Sequence, residues 1–95
     1  MAVKVIIVRR YSAEVGQKIL PLLTQLHQLA NESNGYISGE AFGSTSDPDG
    51  HLVISSWETT EDWEAFINSE KSQDLHQQVD SYLDTDTMYQ VYKKH

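Results

Sequence analysis

Alternating apolar and polar positions predict four β-strands. These are Val3 to Val8, Tyr36 to Phe42, His51 to Trp57 and Thr87 to Tyr92. In the first strand Val3, Val5 and Ile7 share one face, because successive side chains point to opposite sides of a strand. Ile6 and Val8 lie on the other face, so both faces of this strand require cover.

A helical repeat follows the first strand. Ser12 can accept a hydrogen bond as the N-cap, and apolar residues then recur at helical spacing: Val15, Ile19, Leu22, Leu23, Leu26, Leu29 and Ala30. Pro21 removes one backbone donor, but the apolar stripe continues past it, which predicts a kink rather than an end. Residues 31–35 end the helix with side chains that tolerate left-handed backbone.

A second helical region follows the third strand. Thr59 and Asp62 form a short capping box at its start. The region carries Trp63, Phe66 and Ile67, pauses at residues 68–69, and resumes with Leu75, Val79, Tyr82 and Leu83 on one face. We therefore predict a short helix followed by a longer one.

The order of elements predicts an α+β fold. It is β-α-β-β-α-β, the pattern of a ferredoxin-like sandwich with a four-stranded antiparallel sheet and its helices on one face, in a single domain of residues 1–95. The first strand is apolar on both faces, and Val53 and Trp57 share the alternation opposite Leu52 and Ile54, so a bare sheet face would expose a large hydrophobic patch. A second copy is the simplest cover, so we predict a homodimer in which two sheets pack face to face as a dimeric α/β barrel.

Composition removes several classes of function. The formal net charge is −7, which disfavours nucleic acid as a partner because such binding relies on Lys and Arg. The chain has no cysteine, and no His and carboxylate spacing is typical of a metal site. It has neither an apolar run of about 18 residues nor a signal-peptide pattern, so we predict a cytoplasmic protein without a membrane partner.

The junction between the third strand and the second helix is the candidate site. It brings Trp57 and Trp63 to one end of the sheet, where each can pack in the core or line a cavity between the sheet and its helices. Tyr36 can line the same cavity or lie in a dimer interface. Arg9 and Arg10, at the end of the first strand, could contact an anionic group, but in so acidic a protein we favour pairing with surface carboxylates in solvent.

Several of these segments resemble one family. Gly35-Tyr36 opening a strand, residues 52–58 (Leu-Val-Ile-Ser-Ser-Trp-Glu) followed by a polar pair and a helix, and Ser69 leading a further helix resemble the antibiotic biosynthesis monooxygenase family. The resemblance implies a dimeric α/β barrel. It also implies oxidation of a flat aromatic or quinol-like molecule by dioxygen without metal or flavin, or, in a side branch, haem degradation.

The resemblance also assigns residues. Trp57 matches a tryptophan of the substrate cavity and is the catalytic candidate, and Trp63 matches a tyrosine there. Val53 stands where anthrone-oxidising members have an asparagine, which removes a donor for a substrate oxyanion. Substrate-binding positions are then Trp63, Tyr36, Phe66 and Val53.

Haem gives an alternative to cofactor-free oxidation. His76 lies at the spacing of the axial histidine in the haem-degrading branch, although Phe66 replaces that branch's tryptophan and Ile7 its asparagine. His76 can equally be a histidine on the flank of its helix. The open alternatives to a monooxygenase are a haem-binding or small-ligand-binding dimer, and a dimerisation or stress-associated module whose cavity is filled by its own side chains.

Overall fold

The structure is a computed structural model that describes residues 2–95. Its strands are β1 (Val3–Arg10), β2 (Tyr36–Gly43), β3 (Gly50–Trp57) and β4 (Met88–Lys93). They form a four-stranded sheet in the order β2-β3-β1-β4, and every neighbouring pair is antiparallel. The predicted ferredoxin-like α+β architecture is confirmed.

The helices are α1 (Ala13–Asn31), α2 (Thr60–Ile67) and α3 (Glu70–Asp80). The predicted caps are present, since the Val15 N–H donates to Ser12 Oγ over 3.2 Å and the Asp62 N–H donates to Thr59 Oγ1 over 3.0 Å. The second helical region divides into α2 and α3, as the pause near residue 68 predicts. Tyr82 lies beyond the end of α3 and is 47% exposed, so its predicted place on the apolar face is wrong.

One face of the sheet carries the core. The helices pack on the side of β1 that bears Val3, Val5 and Ile7. The other buried apolar residues are Ile19, Leu26, Ala30, Trp57, Trp63, Phe66 and Val79, which come from all three helices and from β3. Because side chains alternate along a strand, those of β3 point in turn into this core and toward the opposite face of the sheet.

The opposite face is left uncovered by residues 2–95. The register places apolar side chains on it from all four strands: Ile6, Val8, Phe42, Leu52, Ile54, Met88 and Tyr92. Val8, on a central strand, is 45% exposed, and Met88 is 67% exposed. Such a patch is typical of an interaction surface. No helix among these residues is long and apolar enough to cross a membrane.

Candidate functional site

A cavity of about 580 Å³ lies between the core face of the sheet and the helices. The residues that line it include every site position predicted from the sequence, namely Trp57, Trp63, Tyr36, Phe66, Val53 and His76. They come from β2, β3, α2 and α3. Tertiary packing therefore brings into one cavity positions that lie up to 40 residues apart in the chain.

The register of β1 with β3 sets the length of the cavity. Trp57, Val53 and His51 share the core face of β3, where Trp57 pairs with Val3 and His51 with Arg9. Trp57 and His51 are six positions apart, which corresponds to about 20 Å along an extended strand. The cavity thus has an aromatic end near Trp57 and a polar end near Arg9 and His51.

Packed aromatic rings form the first end. The Trp57 ring centroid lies 5.1 Å from that of Phe66, 5.2 Å from that of Tyr36 and 5.8 Å from that of Trp63. Trp57 is only 1% exposed, and its indole N–H donates to Ser55 Oγ over 3.1 Å. The indole therefore offers a ligand its ring surface, since its single donor is already used.

A glycine leaves space for the Tyr36 side chain at the cavity wall. The tyrosine hydroxyl lies where Gly39 has no side chain, and a Cβ at Gly39 would come within 2.6 Å of that oxygen. The missing side chain of Gly39 therefore lets the Tyr36 ring approach β2 closely. Burial raises the pKa of the Tyr36 phenol, so it is a neutral hydrogen-bonding group at physiological pH.

His76 presents a neutral base to the cavity. Its Nδ1 lies 2.8 Å from the Ser72 carbonyl oxygen, which can only accept, so Nδ1 carries the proton and donates. Nε2 then holds the free lone pair and bonds to no group within residues 2–95. Burial, the largest influence, lowers the pKa of His76, and the residue is 8% exposed rather than on a solvated helix flank.

Arg9 is the site residue that sequence analysis assigned wrongly. Arg10 forms the predicted solvated pair, with Nη2 lying 3.0 Å from Asp47 Oδ2. Arg9 instead lines the cavity and is 7% exposed. The alternation of Val3, Val5 and Ile7 could have predicted this position, because continuing it by two residues places Arg9 on the core face of the strand.

The surroundings of Arg9 are polar without supplying a close anion. Thr87 donates to Asp80 Oδ1 over 2.6 Å, and the Asp80 carboxylate acts on Arg9 from beyond ion-pair distance. Burial raises the pKa of Tyr89 to about 12, which keeps that phenol neutral. Tyr11 stacks on His51 with ring centroids 3.8 Å apart.

Metal ligands are not clustered in the described chain. Within residues 2–95, no group of three or more His, Asp or Glu side chains could hold a metal ion. Three histidines line the cavity, namely His27, His51 and His76. The Nδ1–H of His76 is fixed by the Ser72 carbonyl, in the way that orients many metal-bound histidines.

Fold and site together define a small ferredoxin-like protein with an aromatic cavity between its sheet and helices. The sequence matches the family model of antibiotic biosynthesis monooxygenase over residues 2–78. The chain belongs to the antibiotic biosynthesis monooxygenase family. No curated protein sequence is significantly similar to it.

Solved structures share the fold at low sequence identity. A conserved protein from Methanosarcina mazei Go1 gives a TM-score of 0.90 with 18% identity, covering 100% of this chain and 94% of that chain. An antibiotic biosynthesis monooxygenase gives 0.84 with 17% identity and 98% coverage of both chains. SnoaB, a cofactor-independent oxygenase from Streptomyces nogalater, gives 0.78 with 7% identity, covering 99% of this chain and 92% of that chain.

Proposed function

We propose that this protein is a cofactor-independent monooxygenase that oxidises a flat aromatic or quinol-like molecule. The observation that carries the proposal is the cavity beside Trp57, which is lined by packed aromatic rings and by a neutral His76 with a free Nε2. Membership of the family and similarity in fold to a cofactor-independent oxygenase support it.

His76 is the proposed base. Nε2 removes a proton from an acidic C–H of the bound substrate, and the resulting carbanion reduces dioxygen directly. When the carbon is a ring methylene, dioxygen adds one oxygen atom to give a carbonyl, and the second oxygen leaves as water with the two hydrogens. His76 suits this step because burial lowers its pKa and keeps it unprotonated near neutrality.

The other predicted residues would bind and orient the substrate. Trp57, Trp63 and Phe66 supply ring surfaces that exclude water and hold a flat molecule. Val53 cannot donate to an oxyanion, and the Trp57 N–H is engaged by Ser55. The Tyr36 hydroxyl is therefore our candidate donor at the aromatic end.

Oxygen uptake tests the proposal. We expect the purified protein to consume dioxygen with anthrone or dihydroxyanthracene substrates, and His76→Asn to reduce the rate at least about tenfold while keeping the Ser72 bond. His95→Asn, outside the cavity, is the matched control. Absence of uptake over a broad panel of quinols and anthrones would argue against oxygenase activity.

Haem binding is a second candidate, favoured by the free Nε2 of His76. His76 would ligate the iron, and haem would supply oxygen-activating redox chemistry. Titration with haem should then give a Soret band that His76→Ala removes. A band unchanged by that substitution, or no band at all, counts against this candidate.

We also propose that the protein is a homodimer through its open sheet face. The exposed apolar side chains on that face, including Val8 and Met88, support a second copy as their cover. Two sheets packed in this way would form the dimeric α/β barrel that the sequence predicts.

A further inference from the structure

We propose that Arg9 binds the carboxylate of an aromatic acid, so that the cavity takes an anionic ligand whose ring system lies toward Trp57. The proposal rests on the proposed function in one respect, namely that the cavity accepts a flat aromatic molecule. It adds the charge of the ligand and the residue that selects it.

Arg9 lacks an ion-pair partner within the described residues. Its Nε is buried and makes no hydrogen bond, and within residues 2–95 no carboxylate lies within 4.0 Å of its guanidinium. Removing a cation from water is costly unless hydrogen bonds and an opposite charge replace the lost hydration. An arginine that is 7% exposed and lies on a cavity wall without an ion-pair partner therefore indicates that the partner is a ligand.

The charged and polar groups around Arg9 are compatible with a bound anion. Asp80 is the nearby acidic group, and its Oδ1 is engaged by Thr87. Tyr89 stays neutral because burial raises its pKa to about 12. Burial also lowers the pKa of Arg9, but arginine retains its proton at physiological pH. The polar end thus holds a cation whose buried Nε–H has no hydrogen-bond acceptor.

The shape of the cavity specifies the rest of the ligand. Arg9 pairs with His51 across the strands, whereas Trp57 lies about 20 Å further along β3. Ile7 and Val53, which are cross-strand partners, give the intervening wall an apolar surface. A fused-ring acid matches both parts, because a guanidinium can form two parallel hydrogen bonds to a carboxylate.

Matched ligands can separate anion binding from oxidation. Anthraquinone-2-carboxylate and anthraquinone-2-carboxamide have the same rings, and neither carries a methylene that an oxygenase could oxidise. Their dissociation constants can be measured by calorimetry and by quenching of the fluorescence of Trp57 and Trp63. We expect the carboxylate to bind at least about tenfold more tightly than the amide.

Substitutions test whether Arg9 is responsible for the preference for the carboxylate. Arg9→Met should abolish the preference for the carboxylate over the amide, whereas Arg9→Lys should retain part of it. Arg10→Met is the control, because Arg10 is exposed and paired with Asp47. Circular dichroism checks that each variant is folded. If Arg9→Met does not fold, the ratio of carboxylate to amide affinity is compared between Arg9→Lys and the native protein.

Three outcomes would overturn the proposal. They are equal affinity for acid and amide, a preference that Arg9→Met and Arg9→Lys leave unchanged, and no binding of anthraquinone, naphthalene or benzene carboxylates. Failure of the oxygenase proposal is a separate result. A protein that prefers the carboxylate through Arg9 but consumes no dioxygen would retain the anion site and lose only the proposed reaction.

Discussion

His76 Nδ1 lies 2.8 Å from the carbonyl oxygen of Ser72, one helical turn earlier on α3. This bond fixes the tautomer and leaves Nε2 unbonded on a residue that lines the cavity, while burial lowers the pKa of His76 below its ordinary 6.5. The folded protein therefore binds fewer protons at this residue than the unfolded chain does at pH values just below 6.5.

Stability should consequently fall as the pH is lowered through that range. The contribution of His76 is fully present above its unfolded pKa and is lost as the pH drops toward the folded pKa. In His76→Asn, urea unfolding between pH 5 and 7 should show a smaller pH dependence of the free energy of unfolding. His95→Asn should keep the dependence of the native protein, and equal slopes in all three proteins would contradict the prediction.

Arg9→Met should stabilise the protein without ligand. Replacing a buried, unpaired charge by an apolar side chain of similar length removes its desolvation cost, and we expect the free energy of unfolding to rise by about 1 to 4 kcal/mol. Thermal and urea unfolding measure it, with Arg10→Met as the exposed control. A clear loss of stability would mean that Arg9 holds the fold together rather than serving a ligand.

Gly39→Ala should displace Tyr36. The added Cβ would lie 2.6 Å from the tyrosine hydroxyl oxygen, and we expect a loss of about 1 to 3 kcal/mol in the free energy of unfolding. In the Tyr36→Phe background the same substitution should cost much less, because the conflicting atom is gone. Gly43→Ala is the matched control, since its Cβ would meet nothing within 4 Å.

Ser55→Ala should weaken the aromatic end of the cavity. Ser55 is 6% exposed and accepts the indole N–H of Trp57, which would be left buried without a partner. Loss of that acceptor should cost about 1 to 3 kcal/mol, measured by urea unfolding. Ser38→Ala, at an exposed position on β2, should change stability little, and equal effects of the two substitutions would disprove the assigned role of Ser55.

Val8→Lys should prevent association through the open sheet face. Val8 is 45% exposed on a central strand, and a lysine there would place a charge within the apolar face that the proposed dimer buries. Analytical ultracentrifugation at micromolar concentration should find a dimer for the native protein and a monomer for this variant. Tyr82→Lys, 47% exposed beyond α3, should remain dimeric. A native protein that is monomeric would refute the interface.

The sequence determined the order and type of the elements because their signals are local. Period-two alternation set the strands, helical spacing set α1, and the capping oxygens of Ser12 and Thr59 marked helix starts that the structure confirms. The alternation of β3 also placed Val53 and Trp57 on one face. These features depend on near neighbours in the chain, which a single sequence contains.

Tertiary structure decided the chemistry of the site. Alternation places Arg9 on the core face of β1, but its burial depends on α3 and β4, which follow it by more than 60 residues. The free nitrogen of His76 and the engaged N–H of Trp57 likewise depend on partners that alternation and helical spacing do not specify. Burial and hydrogen-bond pairing arise only when distant segments pack together, so the ionisation and availability of these groups could be read only from the folded chain.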